Sequence, residues 1–359
     1  MTLLRRGVQR TTECVDGLVA DGHLARGAQI CVVVGGEVVL DLAVGDDGTG
    51  RPMTPLTLCS VYCAIKPITA VAVAAQVEAG RLALDAPLTE LLPEVRCARD
   101  GAITLRNLLN HTAGLHEPYA VHMELMTPDK RVEFVDRMRL PDGWRVGEDA
   151  GYSEFVAWHL LGRVLETTTG EPLRTHLRSA VLEPFAMTDT WIGMTDAEYD
   201  ANEARIGVNH DLRAWVPFPM LLEQARRVCC ETNPAYGGYT TARDLARFHA
   251  AVSARLSSSA TLQAFCSGAR ERAYDVVLKR ECEYGLGFMT GLADHHFGSR
   301  CSSAAFGHSG FSGTSYAFAD PASDASVAVV LNGIADSARA FASRSALVDT
   351  IYEDLGLGR

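Results

Sequence analysis

The chain has 359 residues, of which 47% are hydrophobic and 21% charged, a composition typical of a globular protein with a substantial core rather than of a disordered or fibrous one. Its 44 acidic residues outnumber its 33 basic ones, the net charge is −11, and no run of five Lys or Arg residues occurs, so we expect no nucleic acid partner. No apolar run approaches the roughly 20 residues that a transmembrane helix needs, so we expect no membrane partner either.

The N-terminus and the cysteines indicate the cellular compartment. Arg5 and Arg6 are followed by an acidic and polar stretch where a signal peptide would have an apolar core. We therefore expect the chain to start at Met1 and to be cytoplasmic. The ten cysteines show no spacing typical of a disulfide framework, and we expect free thiols. No CxxC or HExxH motif is present, so we predict no metal site.

The first predicted elements are a short helix and a β-hairpin. Residues 28–45, AQICVVVGGEVVLDLAVG, form two β-rich runs around Gly35-Gly36, and a glycine pair between such runs is a hairpin signal. Residues 46–57 are rich in Gly, Asp, Thr and Pro, which predicts a loop.

Helical patterns dominate the middle of the chain. Residues 63–80 carry Ala and Val on every face and end at Gly80, which predicts a buried helix with a glycine stop. Helices are also predicted over residues 104–111, 154–169, 241–256 and 337–355, and strands over residues 316–319 and 326–331. This order predicts an α+β fold: residues 1–60 and 255–359 build a sheet domain, residues 61–254 a mainly helical domain, and the active site lies in the cleft between them.

The stretch LCSVYCAIKPITA, residues 58–70, has the clearest chemical meaning. Cys63 and Lys66 are three residues apart, so on a helix that starts here they lie about one turn apart on the same face. An ammonium group beside a thiol favours the thiolate, which is the nucleophilic form. The pair therefore predicts a reactive cysteine.

The same stretch resembles the first motif, S-x-x-K, of the serine β-lactamase and penicillin-binding-protein superfamily, in particular its class C β-lactamase and esterase branch. As in that family, an apolar helix and Gly80 follow, and then the phrase LALDAPLTELLPEV at residues 82–95. Other similar phrases are TLRNLLNHTAGL from Thr104, the Y-x-N-like Tyr152-Ser153-Glu154, YGLGF from Tyr284, and His308-Ser309-Gly310, which stands where the family has K-T-G or H-x-G. The resemblance implies a β-lactamase-like fold, with an antiparallel sheet flanked by helices and an inserted helical domain.

The chain departs from the family pattern at two positions. Cys63 stands where the family has the nucleophilic serine, and Glu154 stands where the second motif ends in asparagine. Ser60 does not restore the pattern, because six residues before Lys66 it falls on a different part of the helix surface. Glu154 either binds an amine or hydroxyl acceptor or caps the helix that follows it, and its charge should disfavour anionic β-lactams.

The resemblance assigns catalytic roles residue by residue. Cys63 would be the nucleophile at the N-terminal end of its helix, where the helix dipole and Lys66 would lower the thiol pKa. Lys66 would hold or relay the proton, and Tyr152 would move a proton between nucleophile and leaving group. The backbone N–H groups of Cys63 and Phe311 would form the oxyanion hole, and His308 would orient the acyl or acceptor group.

The resemblance also indicates which residues would bind the substrate. These are Tyr62, Glu154, Ser309 and Gly310.

A thiol nucleophile favours acyl transfer. Its acyl-enzyme would be a thioester, and exchange between thioesters is nearly isoenergetic, so the donor is expected to be a small-molecule thioester or ester, such as one on coenzyme A or phosphopantetheine. The acceptor would be an amine or hydroxyl of a natural-product intermediate, as in antibiotic biosynthesis. No dissociable cofactor is needed. An acyl carrier protein is a further candidate donor, which Arg226-Arg227 and residues 270–272 would dock.

Three other interpretations stay open. The same residues could serve an esterase, amidase or thioesterase in which water is the acceptor. Cys63 could instead be an inert buried thiol in a non-catalytic binding protein of this fold, since free cysteines are often buried. It could also be an engineered replacement for a native serine that traps the acyl-enzyme.

Overall fold

The computed structural model describes residues 3–4, 7–96, 103–116 and 126–358, and Cys97 lies outside them. Within these ranges the helices are α1 (Gln9–Asp21), α2 (Lys66–Glu78), α3 (Leu88–Leu91), α4 (Leu105–Leu109), α5 (Pro128–Arg137), α6 (Val156–Thr169), α7 (Leu173–Leu177), α8 (Asp196–Asn202), α9 (Arg226–Cys229), α10 (Ala242–Arg255), α11 (Ala260–Cys266) and α12 (Ala338–Leu355). The nine cysteines within the described ranges are free thiols.

The strands of the described ranges form one large and several small sheets. They are β1 (Leu3–Leu4), β2 (Gly27–Val34), β3 (Glu37–Gly45), β4 (Cys59–Ser60), β5 (Trp191–Ile192), β6 (His210–Asp211), β7 (Phe218–Pro219), β8 (Gly238–Thr240), β9 (Arg270–Asp275), β10 (Arg280–Tyr284), β11 (Phe306–Ser309), β12 (Ser315–Asp320), β13 (Ala325–Leu331) and β14 (Gly333–Ile334). The large sheet is antiparallel, with strand order β1-β3-β2-β13-β12-β11.

The large sheet joins the two ends of the chain, as the sequence predicts. Strand β2 pairs with β13, and Val32 lies opposite Val327. The predicted hairpin is confirmed: Gly35 and Gly36 connect β2 and β3 with φ of 59° and 79°, a left-handed conformation that glycine adopts readily. The fold is therefore α+β, with an antiparallel sheet flanked by helices.

Both faces of this sheet are buried. Along β13, Ala328 and Val330 belong to the core shared with α2, α6 and α10, whereas Val327 and Val329 belong to the core shared with α1 and α12. The alternation follows from the two-residue repeat of a strand, and it explains why every residue of β13 is buried. The domain boundaries given above stay a prediction.

Each helix predicted from the sequence is present, but the start of one differs from the prediction, and several short helices were not predicted. The helix predicted from Cys63 is a 3-10 turn over Tyr62–Ile65 that continues into α2 from Lys66. Pro67 lies in the first turn of α2, where its missing N–H leaves no helical hydrogen bond unmade. No helix in the described part of the chain is both long and apolar enough to cross a bilayer.

The 3-10 turn lies against the end of β11 at very short range. A Cβ atom on Gly310 would lie 2.3 Å from Ser315 Oγ and 2.5 Å from the Val61 carbonyl oxygen. Ser315 Oγ donates to that same carbonyl oxygen at 2.7 Å. Only glycine fits at position 310, and this close approach brings Cys63 beside the residues that follow β11.

Replacing Gly310 by alanine should therefore lower the free energy of unfolding, by about 1–3 kcal/mol, because the two segments must move apart. Urea denaturation measures the change. Gly268→Ala is the matched control, since the nearest neighbour of its Cβ would be Glu283 Oε2 at 3.8 Å. Equal stability of the two variants would contradict the close-approach argument.

Candidate active site

Lys66 is a buried side chain held beside Cys63. Its side chain is fully buried, and Nζ donates to the carbonyl oxygens of Glu154 and Ala235, both at 2.7 Å. Nζ also lies 3.5 Å from Cys63 Sγ. Nζ thus contacts two carbonyl oxygens, which can only accept hydrogen bonds, and the Cys63 thiol. A proton can move along this contact between sulfur and nitrogen.

Tyr152 lines the same cavity as Cys63, and its ring centroid lies 5.5 Å from Lys66 Nζ. The Tyr152 hydroxyl and the Cys63 thiol are close enough for each to shift the pKa of the other. Its backbone is fixed from two directions, because its N–H donates to Asp275 Oδ1 at 3.0 Å and the N–H of Ser153 donates to His111 Nδ1 at 3.0 Å. The structure therefore brings the three predicted residues Cys63, Lys66 and Tyr152 together.

The protonation of Cys63 differs from the sequence-based expectation. Burial raises the pKa of the thiol above its ordinary value, and Lys66, which lowers it, offsets this only in part. Cys63 also lies before α2 rather than in its first turn, which weakens the expected dipole effect. The predicted lowering of the pKa is wrong in its net direction: the resting group is a thiol. Burial likewise raises the pKa of Tyr152 well above its usual range.

The predicted oxyanion hole lies where the 3-10 turn meets the end of β11. Neither the Cys63 N–H nor the Phe311 N–H donates to an acceptor within the described residues. Phe311 starts a second short turn in which Ser312 and Gly313 have φ of 48° and 67°. Two N–H groups on adjoining turns can donate hydrogen bonds to one oxygen and so stabilise the negative charge that develops on it.

His308 lies in the site with both ring nitrogens engaged. Tyr284 Oη is 2.7 Å from Nε2, and Nδ1 is 2.8 Å from the carbonyl oxygen of Ser309. Because a carbonyl only accepts, Nδ1 carries the proton and Tyr284 donates to Nε2. Burial lowers the pKa of His308 to about 3, so the ring is neutral. Both hydrogen bonds fix the orientation of the His308 ring in the site. Its role in orienting the substrate stays a prediction.

These residues surround a cavity of about 270 Å³. Besides Cys63, Tyr152 and His308, its lining includes the predicted binding residues Glu154, Ser309 and Gly310 and the predicted oxyanion residue Phe311. Tyr62 is not among the lining residues of the described chain, and its hydroxyl donates to Glu223 instead.

Glu154 lies directly before α6 and in the lining of the cavity, so both interpretations of this residue stay predictions. Its neighbour Ser153 accepts from the Ala157 N–H at 3.0 Å through Oγ, in the first turn of α6. Glu154 is exposed and lines the cavity, and its charge contributes to the raised pKa of Cys63. A carboxylate in this position can hold a cationic or hydrogen-bond-donating group.

Sequence reasoning missed part of the cavity lining. The residues of this part include Leu278, Arg280, Met289, His296, Asp336, Phe341 and Arg344. Arg344 is buried, and its Nε has no hydrogen-bond partner in the described ranges. Tyr284, which also lines the cavity, belongs to the phrase YGLGF. The seven residues named here belong to none of the motifs that resemble the family. Arg280 and Arg344 thus contribute two guanidinium groups to the cavity lining, together with the carboxylate of Asp336.

The basic residues suggested for carrier-protein docking have local partners. Arg226 pairs with Asp196 and Asp200, and Arg270 is buried and pairs with Asp275 at 3.2 Å. These pairs leave the docking hypothesis without support from Arg226 and Arg270.

Fold and site together define a member of the β-lactamase family. The family model described as Beta-lactamase matches residues 12–348, which is most of the chain, so the chain belongs to that family. Esterase EstB from Burkholderia gladioli is 35% identical over 191 residues, which make up 48% of this chain and 48% of the esterase. The chain thus matches about half the length of this curated relative.

Solved structures agree over nearly the whole chain. A penicillin-binding protein homolog from Caulobacter crescentus has a TM-score of 0.81 at 26% identity and covers 99% of both chains. EstCE1, described as a hydrolase with promiscuous acyltransferase activity, has a TM-score of 0.77 at 19% identity and covers 96% of this chain and 99% of its own. The second likeness concerns the fold alone.

Lys66→Met should slow the alkylation of Cys63 by iodoacetamide at about pH 8 by tenfold or more, because one unit of thiol pKa corresponds to a tenfold change in thiolate. In the wild type, the rate should still be rising at about pH 9, since burial raises the pKa of the thiol. Mass spectrometry of the alkylated protein measures both rates. Lys130→Met, on the exposed side of α5, is the control. A rate that stays level from about pH 6 to 9 would indicate a resting thiolate and contradict this.

Proposed function

We propose that the protein is an acyltransferase that works through a thioester on Cys63. The observation that carries the proposal is the sulfur's position, 3.5 Å from Lys66 Nζ and in the lining of a cavity that Tyr152 also lines. A thiol with a base on one side and a proton donor on the other is the arrangement that nucleophilic acyl chemistry requires.

Acylation would begin from the thiol. The Cys63 proton passes to the Lys66 amine, and the thiolate attacks the carbonyl carbon of the donor, whose oxygen becomes an oxyanion held by the Cys63 and Phe311 N–H groups. The bond from carbon to the leaving thiol or alcohol then breaks. Tyr152 supplies a proton to the leaving group, and the Lys66 ammonium replaces it. One proton has then moved from Cys63 to the leaving group.

Transfer would reverse these steps with a new nucleophile. The acceptor amine or hydroxyl loses its proton to Tyr152 as Tyr152 passes its own proton to Lys66. The acceptor attacks the thioester, the bond from carbon to sulfur breaks, and Lys66 returns the proton to Cys63. The exposed carboxylate of Glu154 would hold an amine acceptor at the cavity.

The partners proposed are small molecules. The donor is a thioester, on coenzyme A or a phosphopantetheine arm, or an activated ester, and the acceptor is an amine or hydroxyl of a biosynthetic intermediate. The chemistry uses only side chains and backbone N–H groups, so no dissociable cofactor is part of the proposal. A cytoplasmic location is proposed as well, because coenzyme A thioesters are made there.

Hydrolysis is the second candidate. EstB is named an esterase, and EstCE1 is described as a hydrolase with acyltransferase activity, so this fold accommodates both outcomes. The two functions share the acyl-enzyme and differ in what discharges it.

Intact-protein mass spectrometry separates the candidates. With acetyl coenzyme A or p-nitrophenyl acetate alone, the wild type should gain one acetyl group that persists in buffer and is lost when an amine or alcohol is added. Cys63→Ala should gain none. Loss of the adduct in buffer alone, with free acid formed, would indicate the hydrolase. Labelling of Cys63→Ala as strongly as the wild type would contradict the role of Cys63.

Glu154→Gln should raise KM for amine acceptors several-fold and leave KM for alcohol acceptors unchanged, because it removes the charge but keeps the shape. It should also speed iodoacetamide alkylation, since the carboxylate contributes to the raised pKa of Cys63. Steady-state assays with paired amine and alcohol acceptors measure the first effect. Glu148→Gln, at an exposed residue paired with Arg145, is the control. Equal changes in both KM values would contradict a charge-specific role.

A further inference from the structure

A buried carboxylate that the mechanism above does not use lies beside the 3-10 turn. Glu223 is 9% exposed and belongs to the short turn Leu221–Gln224. The Tyr62 hydroxyl donates to its Oε1. Asn209 Nδ2 donates to its Oε2 at 2.9 Å and to the Ser60 carbonyl oxygen at 3.2 Å. The carboxylate is therefore linked to the chain on both sides of residue 61.

Tyr62 occupies an unfavourable backbone conformation directly before Cys63. Its φ is 48°, a left-handed value that is uncommon outside glycine and strained for a bulky residue. Such a conformation persists only where the surroundings hold it in place. The bond from the Tyr62 hydroxyl to Glu223 is the contact best placed to hold it, because it fixes the far end of the same side chain.

The Tyr62 ring also contacts the other half of the proposed oxyanion hole. Its centroid lies 5.8 Å from that of Phe311, with the rings at 64°. Arg213 also lies over the Phe311 ring, with its guanidinium carbon 5.1 Å from the ring centroid. One side chain thus adjoins both segments whose N–H groups, those of Cys63 and Phe311, would bind the oxyanion.

We propose that Tyr62 and Glu223 form a positioning pair that sets the oxyanion hole. The inference rests on the proposed function, because it assigns Tyr62 to the support of the Cys63 and Phe311 N–H groups. It replaces the earlier assignment of Tyr62 to substrate binding. Burial and the neighbouring Glu223 raise the pKa of Tyr62 well above its usual range, so its hydroxyl stays a donor at working pH.

The test uses two reactions of one sulfur. Acylation by p-nitrophenyl acetate passes through an oxyanion, whereas alkylation by iodoacetamide does not. Tyr62→Phe keeps the ring and removes the bond to Glu223, so it should slow acylation by about tenfold to a hundredfold, within the effect of losing an oxyanion donor. Alkylation and its pH profile should be unchanged.

Tyr199→Phe is the matched control. The Tyr199 hydroxyl donates to the carbonyl oxygen of Gln224, next to Glu223, at 2.9 Å and belongs to no part of the site. Unchanged acylation in Tyr62→Phe would overturn the proposal. An equal loss of acylation and alkylation would also overturn it, because it would show a general structural defect.

Hydrogen–deuterium exchange keeps this test independent of the proposed function. A peptide covering residues 60–66 should exchange faster in Tyr62→Phe than in the wild type or in Tyr199→Phe. If the wild type forms no acyl-enzyme, the proposed function fails, and faster exchange still supports the positioning role. Unchanged exchange overturns the positioning role whether or not the wild type is acylated.

Discussion

The site depends on one buried lysine, Lys66. Removing Lys66 from water is unfavourable unless its N–H groups find partners, and the carbonyl oxygens of Glu154 and Ala235 supply two of them. These two carbonyls come from segments far apart in the chain, so the Lys66 side chain fixes α2 against both. Nζ also lies 3.5 Å from Cys63 Sγ, and the chemistry proposed for the protein follows from this contact.

Burial of the site also affects the protonation of Cys63. The environment that holds Lys66 also raises the pKa of Cys63, so proximity to Lys66 does not produce a resting thiolate. In the proposed mechanism, activation therefore occurs during the reaction, by transfer of the thiol proton to the Lys66 amine.

Local patterns in the sequence predict much of this structure. The glycine pair at residues 35–36 marks the hairpin, Gly170 ends α6 in a left-handed conformation, and the spacing from Cys63 to Lys66 brings the thiol and the lysine nitrogen together. These features depend on residues close in the chain, where helix and strand periodicity decide the geometry.

Long-range pairing is what the sequence could not predict. Tyr62 and Glu223 are 161 residues apart, and Arg280 and Arg344 reach the cavity from β10 and α12, so no local pattern links them to Cys63. The direction of the Cys63 pKa shift could not be predicted for a related reason. The sequence shows that Lys66 is near Cys63, but it does not show how deeply the thiol is buried. The 3-10 turn before α2 likewise depends on contacts with β11 that only the folded chain makes.

Peptide mapping of the acyl-enzyme tests the central claim most directly. After brief incubation of the wild type with a radiolabelled acyl thioester and quenching in acid, tandem mass spectrometry should place a single acyl group on Cys63, and neutral hydroxylamine should remove it, as it does a thioester. An acyl group on Ser60 or on another cysteine, with Cys63 left unmodified, would contradict the account.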